Sequence, residues 1–296
     1  MLVAPAHQNR RPIRMIVKTR QPTATRTEPP APLSRNDFGQ GCGVLRHSHP
    51  PGAYRHVRYA PSGLLAEWVQ HFWIESWDWE GRMPQVREVL PHPCVQLVFA
   101  PGRSRVYGVQ LGRFVRELKG RERILGIKFR AGAFYPFLRE PVSSIADSSL
   151  PLQQLFGDAA AVEQEVLACH EDEEMVEAAM RFLAARLPTK DPVTETACAV
   201  VEEIAGDPRI NRVEDLILRY GIQERALQRL FRRYVGASAR WVIKRYRIYE
   251  ALQQLSNGKR ADWAGLAQDL GYFDQAHFVS DFKKLVGRTP AAYLKA

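Results

Sequence analysis

The sequence predicts an α+β protein in two parts: an N-terminal small antiparallel β barrel or sheet with helices, and a C-terminal all-α domain of two helix-turn-helix units joined by a long helix. Three observations carry this. A pattern of helix, glycine turn and helix occurs twice near the C-terminus. Short β-branched and aromatic runs divided by Pro and Gly fill the middle of the chain, the mark of an antiparallel sheet. The 296 residues give room for about two domains of ordinary size.

Residues 1–50 hold "PTATRTEPPAPLSR" and "HSHPPGAY", few large apolar side chains and no sustained period, so they read as a disordered, basic, proline-rich tail. "NRRPIRM" has no apolar stretch of signal-peptide length behind it, which argues against export. The arginine-rich, acid-poor character also suits an organelle transit peptide, or an upstream start codon wrongly chosen. His47 and His49, with His56 nearby, have a spacing that metal sites use, but a proline-rich border offers no rigid frame for a metal, and none is expected.

From about residue 56 the composition changes. "LLAEWVQHFWIESWDW" begins as a helix and ends as a strand, and "VREVLPH", "CVQLVFA", "RVYGVQ", "FVRELKG" and "RILGIKFR" follow as short strands. "GDAAAVEQEVLACH" and "EDEEMVEAAMRFLAARL" read as helices, and "PTKDP" at 188–192 breaks the chain. These features bound a sensor or dimerisation domain at 51–187.

Residues 193–296 carry the repeat. Leu227, Phe231, Val235, Gly236 and Ser238 fall on Phe278, Phe282, Val286, Gly287 and Thr289 at a shift of 51. Val213, Leu216, Tyr220 and Gly221 fall on Trp263, Leu266, Leu270 and Gly271 at a shift of 50, so the one-residue difference lies in the turn. The units span about 213–236 and 263–287. Asp262, Asp274 and Thr289 are good helix N-caps, Thr289 with a following proline; Gln223, at the equivalent place in the first unit, is a poor one. Between the units, Ala239 to Leu255 forms a long helix with Trp241, Val242, Tyr246, Tyr249 and Leu252 on its apolar side, stopped by "SNG" at 256–258.

The second helix of such a motif can enter the DNA major groove. On the first, Gln228, Arg229, Arg232 and Arg233 point outward, a set suited to base edges and phosphates; the second offers Lys283 and Lys284. Charge agrees: the net is +10, with seventeen basic against twelve acidic residues in 193–296, nine against two in 1–55, and sixteen against eighteen in between.

"ALQRLFRRYVGASARWVIKRYRIYEALQQL" and "LAQDLGYFDQAHFVSDFKKLVGRTPAAY" resemble the signature blocks of the AraC/XylS transcription regulators. The glycine, aromatic, Asp-Gln-x-His-Phe, Phe-Lys and Gly-x-x-Pro elements occur in order in the second block. The central region is similar to that family's sensor domains, through Trp68 to Trp73, Leu90 to Phe99 and Gly126 to Phe134. The resemblance implies a bacterial, sequence-specific, cytoplasmic DNA-binding regulator, nucleoid-associated when bound. By the family's pattern, base-facing positions map to Arg225, Gln228 and Arg229 in the first unit and to Gln275, Ala276, Val279 and Ser280 in the second. Phosphate contacts fall to Arg232, Arg233, Lys283 and Lys284. Where the family often has a basic residue, this chain has Ser280 and Asp281, and a carboxylate facing phosphate would repel it.

A sensor needs a concave apolar site with a few placed polar groups, for which Trp73, Trp77, Glu88, His92, Gln96 and Arg130 are the candidates. The partners expected are double-stranded DNA, a small-molecule effector, RNA polymerase, and a second copy of the chain through the central region; no cofactor and no membrane are expected. No run approaches membrane-spanning length, and Cys42, Cys94, Cys169 and Cys198 form no CxxC pair. The competing class is a DNA-repair enzyme with a regulator-like DNA domain, for which Cys94 in "PHPCVQ" would be the nucleophile. No GxSxG motif supports other covalent catalysis.

Overall fold

The computed structural model describes residues 53–157, 159–189, 191–256 and 262–295; the tail at 1–50, with His47 and His49, and the "NG" of the predicted helix stop lie outside them. The strands are β1 (Tyr54–Tyr59), β2 (Val69–Trp79), β3 (Gln85–Val89), β4 (Gln96–Phe99), β5 (Arg105–Tyr107), β6 (Phe114–Leu118), β7 (Gly120–Phe129) and β8 (Ser149–Pro151). Six form an antiparallel sheet in the order β1-β2-β7-β4-β5-β8, and β3 and β6 pair as a separate ribbon. Of the two forms expected, barrel or sheet, the structure takes the open sheet. Strand β1 was not foreseen: "YRHVRY" alternates, but its charged members mask the pattern.

Alternation in β2 decides the architecture. Phe72 and Ile74 point to one face and are buried in the main core with Leu97, Leu125, Ile127 and Phe129. His71, Trp73 and Glu75 point to the other, where β2 is in register with Lys128, Gly126 and Ile124 of β7. Gly126 is required there, because a Cβ would overlap the Trp73 indole, and without one the ring lies across β7.

The helices are α1 (Tyr135–Leu138), α2 (Leu152–Phe156), α3 (Ala159–Ala168), α4 (Asp172–Ala184), α5 (Pro192–Gly206), α6 (Val213–Tyr220), α7 (Glu224–Leu230), α8 (Ala239–Ser256), α9 (Trp263–Asp269), α10 (Gln275–Val286) and α11 (Pro290–Leu294). Asp191, in the proline-bounded break, caps α5 by accepting from the Val193 amide. Gly221 closes α6 at φ 60°, the left-handed conformation that glycine takes without steric cost. Helix α7 runs into a π-helical turn, Phe231–Val235, whose last bond joins the Gly236 amide to the Phe231 carbonyl at 2.8 Å.

One apolar core runs from the sheet through α3, α4 and α5 into the first helix-turn-helix unit, taking in Leu216, Leu227, Phe231 and Val235. The second unit has its own cluster around Phe278, Phe282, Leu266 and Leu270. Helix α8 belongs to both: Val242 and Ile243 pack in the first, and Ile248, Tyr249, Leu252 and Leu255 in the second.

Candidate DNA interface and effector cavity

The two units present their second helices differently. In the first, Leu227 is buried while Arg225, Gln228, Arg229, Arg232 and Arg233 are exposed. Gln228 is tethered to Glu224 at 2.9 Å, one turn back. Arg233 donates to the Tyr135 hydroxyl and lies over that ring at 4.4 Å, so it also joins the unit to α1. In the second, Gln275, Ala276, Ser280, Lys283 and Lys284 are exposed, but Val279 is half-buried against the unit's own core. The expectation that Asp281 faces phosphate is corrected: its carboxylate turns inward, 2.6 Å from Lys244 Nζ on α8 and 3.6 Å from His277.

The helix starts differ as the cap residues foretold. Asp274 accepts from the His277 amide at 2.7 Å, Asp262 from two amides at the start of α9, and Thr289 from the Ala292 amide. Gln223 makes no side-chain cap bond. Between the units lies a cleft of about 610 Å³ that brings Gln228 of α7 and His277 of α10 together with Arg240, Lys244 and the exposed Phe273.

A second cavity, of about 380 Å³, lies between the sheet and the β3–β6 ribbon. Three of the six effector candidates line it: Trp73, His92 and Gln96. Trp73 Nε1 donates to Gln96 Oε1 at 2.9 Å, which fixes both side chains. The other three lie elsewhere. Trp77 is buried with Val98, Leu118 and Ile124 and donates to the Lys119 carbonyl. Glu88, on the ribbon's outer side, is 3.8 Å from Arg113. Arg130 is held by Glu202 of α5 at 2.5 and 2.9 Å and by the Glu67 carbonyl, so it fastens the sheet to α5.

Sequence reasoning missed the cavity's charged lining: Arg58, Glu75, Arg87, Arg103, Arg116 and Lys128. Period two holds part of the signal: "GIKF" places Lys128 on the face opposite Ile127 and Phe129, whereas Arg87 and Arg116 share the inward face of their strands with Val89 and with Phe114 and Leu118, where a period-two reading expects apolar side chains. Arg87 and Arg116 are directly opposed across the ribbon. Arg87 pairs with Glu75 and contacts the Tyr54 hydroxyl, and Arg116 lies 3.3 Å from Glu122 and over the Trp77 ring. Burial, reinforced by Lys128 and Arg58, holds the His71 imidazole well below its usual pKa, so it is neutral. Burial raises the Cys94 thiol pKa, the opposite of what a nucleophile needs, and so weakens the repair-enzyme reading.

The cavity's rim is also the seat of α8. The segments 90–94 and 108–114 border the cavity. His92 stacks on Tyr249 at 4.2 Å, and the Tyr249 hydroxyl donates to the Leu90 carbonyl. The Leu111 carbonyl accepts from Trp241 Nε1 at 3.3 Å and from Arg245 Nη2 at 2.6 Å. Arg245 is fully buried, stacked on Trp241 at 4.4 Å, and its pKa is lowered by burial to about 10.

Two helix-turn-helix units in one chain, each with an exposed polar second helix, define a DNA-binding transcription regulator. Residues 216–296 match the helix-turn-helix domain family, and this C-terminal domain is of the AraC type. Residues 57–151 match a family described as a domain of unknown function, DUF6597. No curated protein matches the sequence. Among solved structures, an apo variant of ToxT from Vibrio cholerae aligns at 13% identity, covering 76% of this chain and 97% of that one, with a TM-score of 0.38. ToxT bound to (E)-4-(8-methylnaphthalen-1-yl)but-3-enoic acid aligns at 13% identity over 68% and 86% of the two chains, with a TM-score of 0.37. ToxT bound to an unsaturated fatty acid gives 11% identity, 68% and 83%, and 0.35. Among the described residues no helix is long and apolar enough to cross a membrane.

Proposed function

We propose that the protein is a sequence-specific regulator whose DNA affinity responds to a small molecule in the cavity beneath the β3–β6 ribbon. The observation that carries this reading is that the segments bordering the cavity also hold α8, the helix shared by both units. A ligand that displaces 90–94 or 108–114 acts on the Leu90 and Leu111 carbonyls and on the His92 ring, and so on the relative setting of the two units. A ligand shifts such an equilibrium only through its differential affinity for the two settings.

On DNA, the first unit supplies base readout through Arg225, Gln228 and Arg229, because arginine forks onto guanine and glutamine onto adenine. The second, through Gln275, Ala276 and Ser280 with Lys283 and Lys284, mainly holds the backbone. One protomer then covers two successive major-groove segments, about 10 bp apart, on a site without palindromic symmetry. Chromatin mapping followed by footprinting on the recovered sites tests this; palindromic sites, or affinity that does not fall with salt, would sink it.

A further inference from the structure

We infer that the cleft between the two helix-turn-helix units receives one strand of the DNA backbone, and that Phe273 packs on the apolar faces of its deoxyribose rings. This rests on the reading of the second unit as mainly a backbone anchor, and it adds to the lysines a contact of another chemistry, apolar and without charge for salt to screen.

Phe273 is the most exposed large apolar side chain among the described residues, at 94%. A single exposed apolar residue is ordinary on a protein surface, so its place decides its meaning. Phe273 stands one residue before Asp274, the cap of α10, and lines the cleft that Glu224 and Gln228 of α7 border as well. Its seat is held firmly. The Gly271 and Tyr272 amides donate to the Gln268 and Ala267 carbonyls, both at 2.9 Å, and the half-buried Tyr272 packs edge-on against Phe278 at 5.4 Å. Gly271, at φ 73°, lies so close to Asn211 that a Cβ would overlap that side chain. The turn of the second unit is thereby set against the segment leading into α6 of the first, and Phe273 is the side chain it leaves outside.

Continuity with the two exposed second helices selects the occupant. A duplex lying across α7 and α10 carries a backbone strand over the ground between them and leaves no room there for a protein partner. The cleft has little charge to spare for that strand. Lys244 is engaged by Asp281, Arg247 by Glu250 and Glu224 by Gln228, which leaves Arg212 and Arg240 exposed, with Glu214 exposed beside them in the first turn of α6. Apolar area is what remains to be used, and the sugar is the part of the backbone that presents apolar faces. Base readout in this unit begins further on, at Gln275.

Hydroxyl radicals cut DNA where the sugar hydrogens are open to solvent, so footprinting of the full-length protein on a site selected from random DNA tests this directly. The wild type should protect both major-groove segments and the sugars between them. Phe273→Ser should open those intervening sugars while the flanking protection stays, and should weaken binding about 10-fold, alike for all site sequences. The slope of log K against log salt should not change, because an apolar contact releases no counterions. Phe273→Leu should keep the protection and most of the affinity. Unchanged affinity and cleavage in Phe273→Ser would overturn the inference and leave the two-unit reading standing. A loss confined to sites with thymine at one position would overturn it in favour of a base-methyl contact, and a reduced salt slope would overturn its apolar character. A wild-type footprint over one segment only would remove the two-unit reading and this contact with it.

Discussion

The two helix-turn-helix units share a repeat and differ in nearly everything attached to it. The first has no side-chain cap on α7, ends that helix in a π-helical turn, and buries Leu227 and Phe231 in a core continuous with the β-sheet. The second has three side-chain caps, an unbroken twelve-residue α10, and a core it shares with α8 and Leu90. Local cap chemistry helps hold the second unit together. In the first, Asp215 accepts at the start of α6 and Ser238 at the start of α8, so the difference in capping is confined to α7, where packing against the N-terminal region substitutes for the missing cap. Their exposed faces divide likewise, arginine and glutamine against small side chains and lysine.

The largest test of this contrast is truncation of the matching core residues. Phe231→Ala and Phe278→Ala each remove a fully buried ring and should each cost about 3–5 kcal/mol. Phe231→Ala should lower the transition reported by the tryptophans of β2, because the core is shared. Phe278→Ala should instead split off an earlier loss of helix by circular dichroism, with the β2 tryptophans unmoved. Identical effects of the two on both signals would erase the distinction.

Arg229→Ala should cost roughly 1–3 kcal/mol in affinity for the preferred site and relax base preference in one half of it. Site selection from random DNA decides the point, and a sharper preference in the half read by α10 would reverse the assignment of reader and anchor.

Smaller effects belong to the caps. Asp274→Ala should cost about 0.5–2 kcal/mol in denaturant titration, whereas Gln223→Asp should stabilise the first unit by a similar or smaller amount, since it supplies the acceptor that α7 lacks. Destabilisation by Gln223→Asp would show that the exposed start of α7 is used for something a carboxylate spoils. The smallest expected change is for Lys283→Ala, which should weaken binding to all sequences alike and reduce the slope of log K against log salt by about 0.9.

Much of this was legible because it is local. The repeat at shifts of 50 and 51 located both units, Gly221 marked its turn by the backbone conformation it permits, and Asp262, Asp274 and Thr289 named their own helix starts. Each depends on residues within a few positions of one another. The short β-branched runs between prolines and glycines likewise announced β3 through β7. Period-two alternation was present in β2 but could not say which face would meet helices and which would line a cavity.

What the tertiary structure alone decided is long-range pairing. Asp281, one residue from a DNA-facing position, was expected to meet phosphate; it meets Lys244, 37 positions away, because the packing of α10 turns it inward. Arg130 was a cavity candidate and instead binds Glu202, 72 positions on. Arg87 and Arg116 become neighbours only when β3 and β6 pair, and Tyr249 finds the Leu90 carbonyl across 159 positions. Sequence pattern states which face of an element is apolar, since that follows from the geometry of one helix or strand. Which charged group ends beside which depends on how those faces are stacked, and that is set by the packing of the whole core.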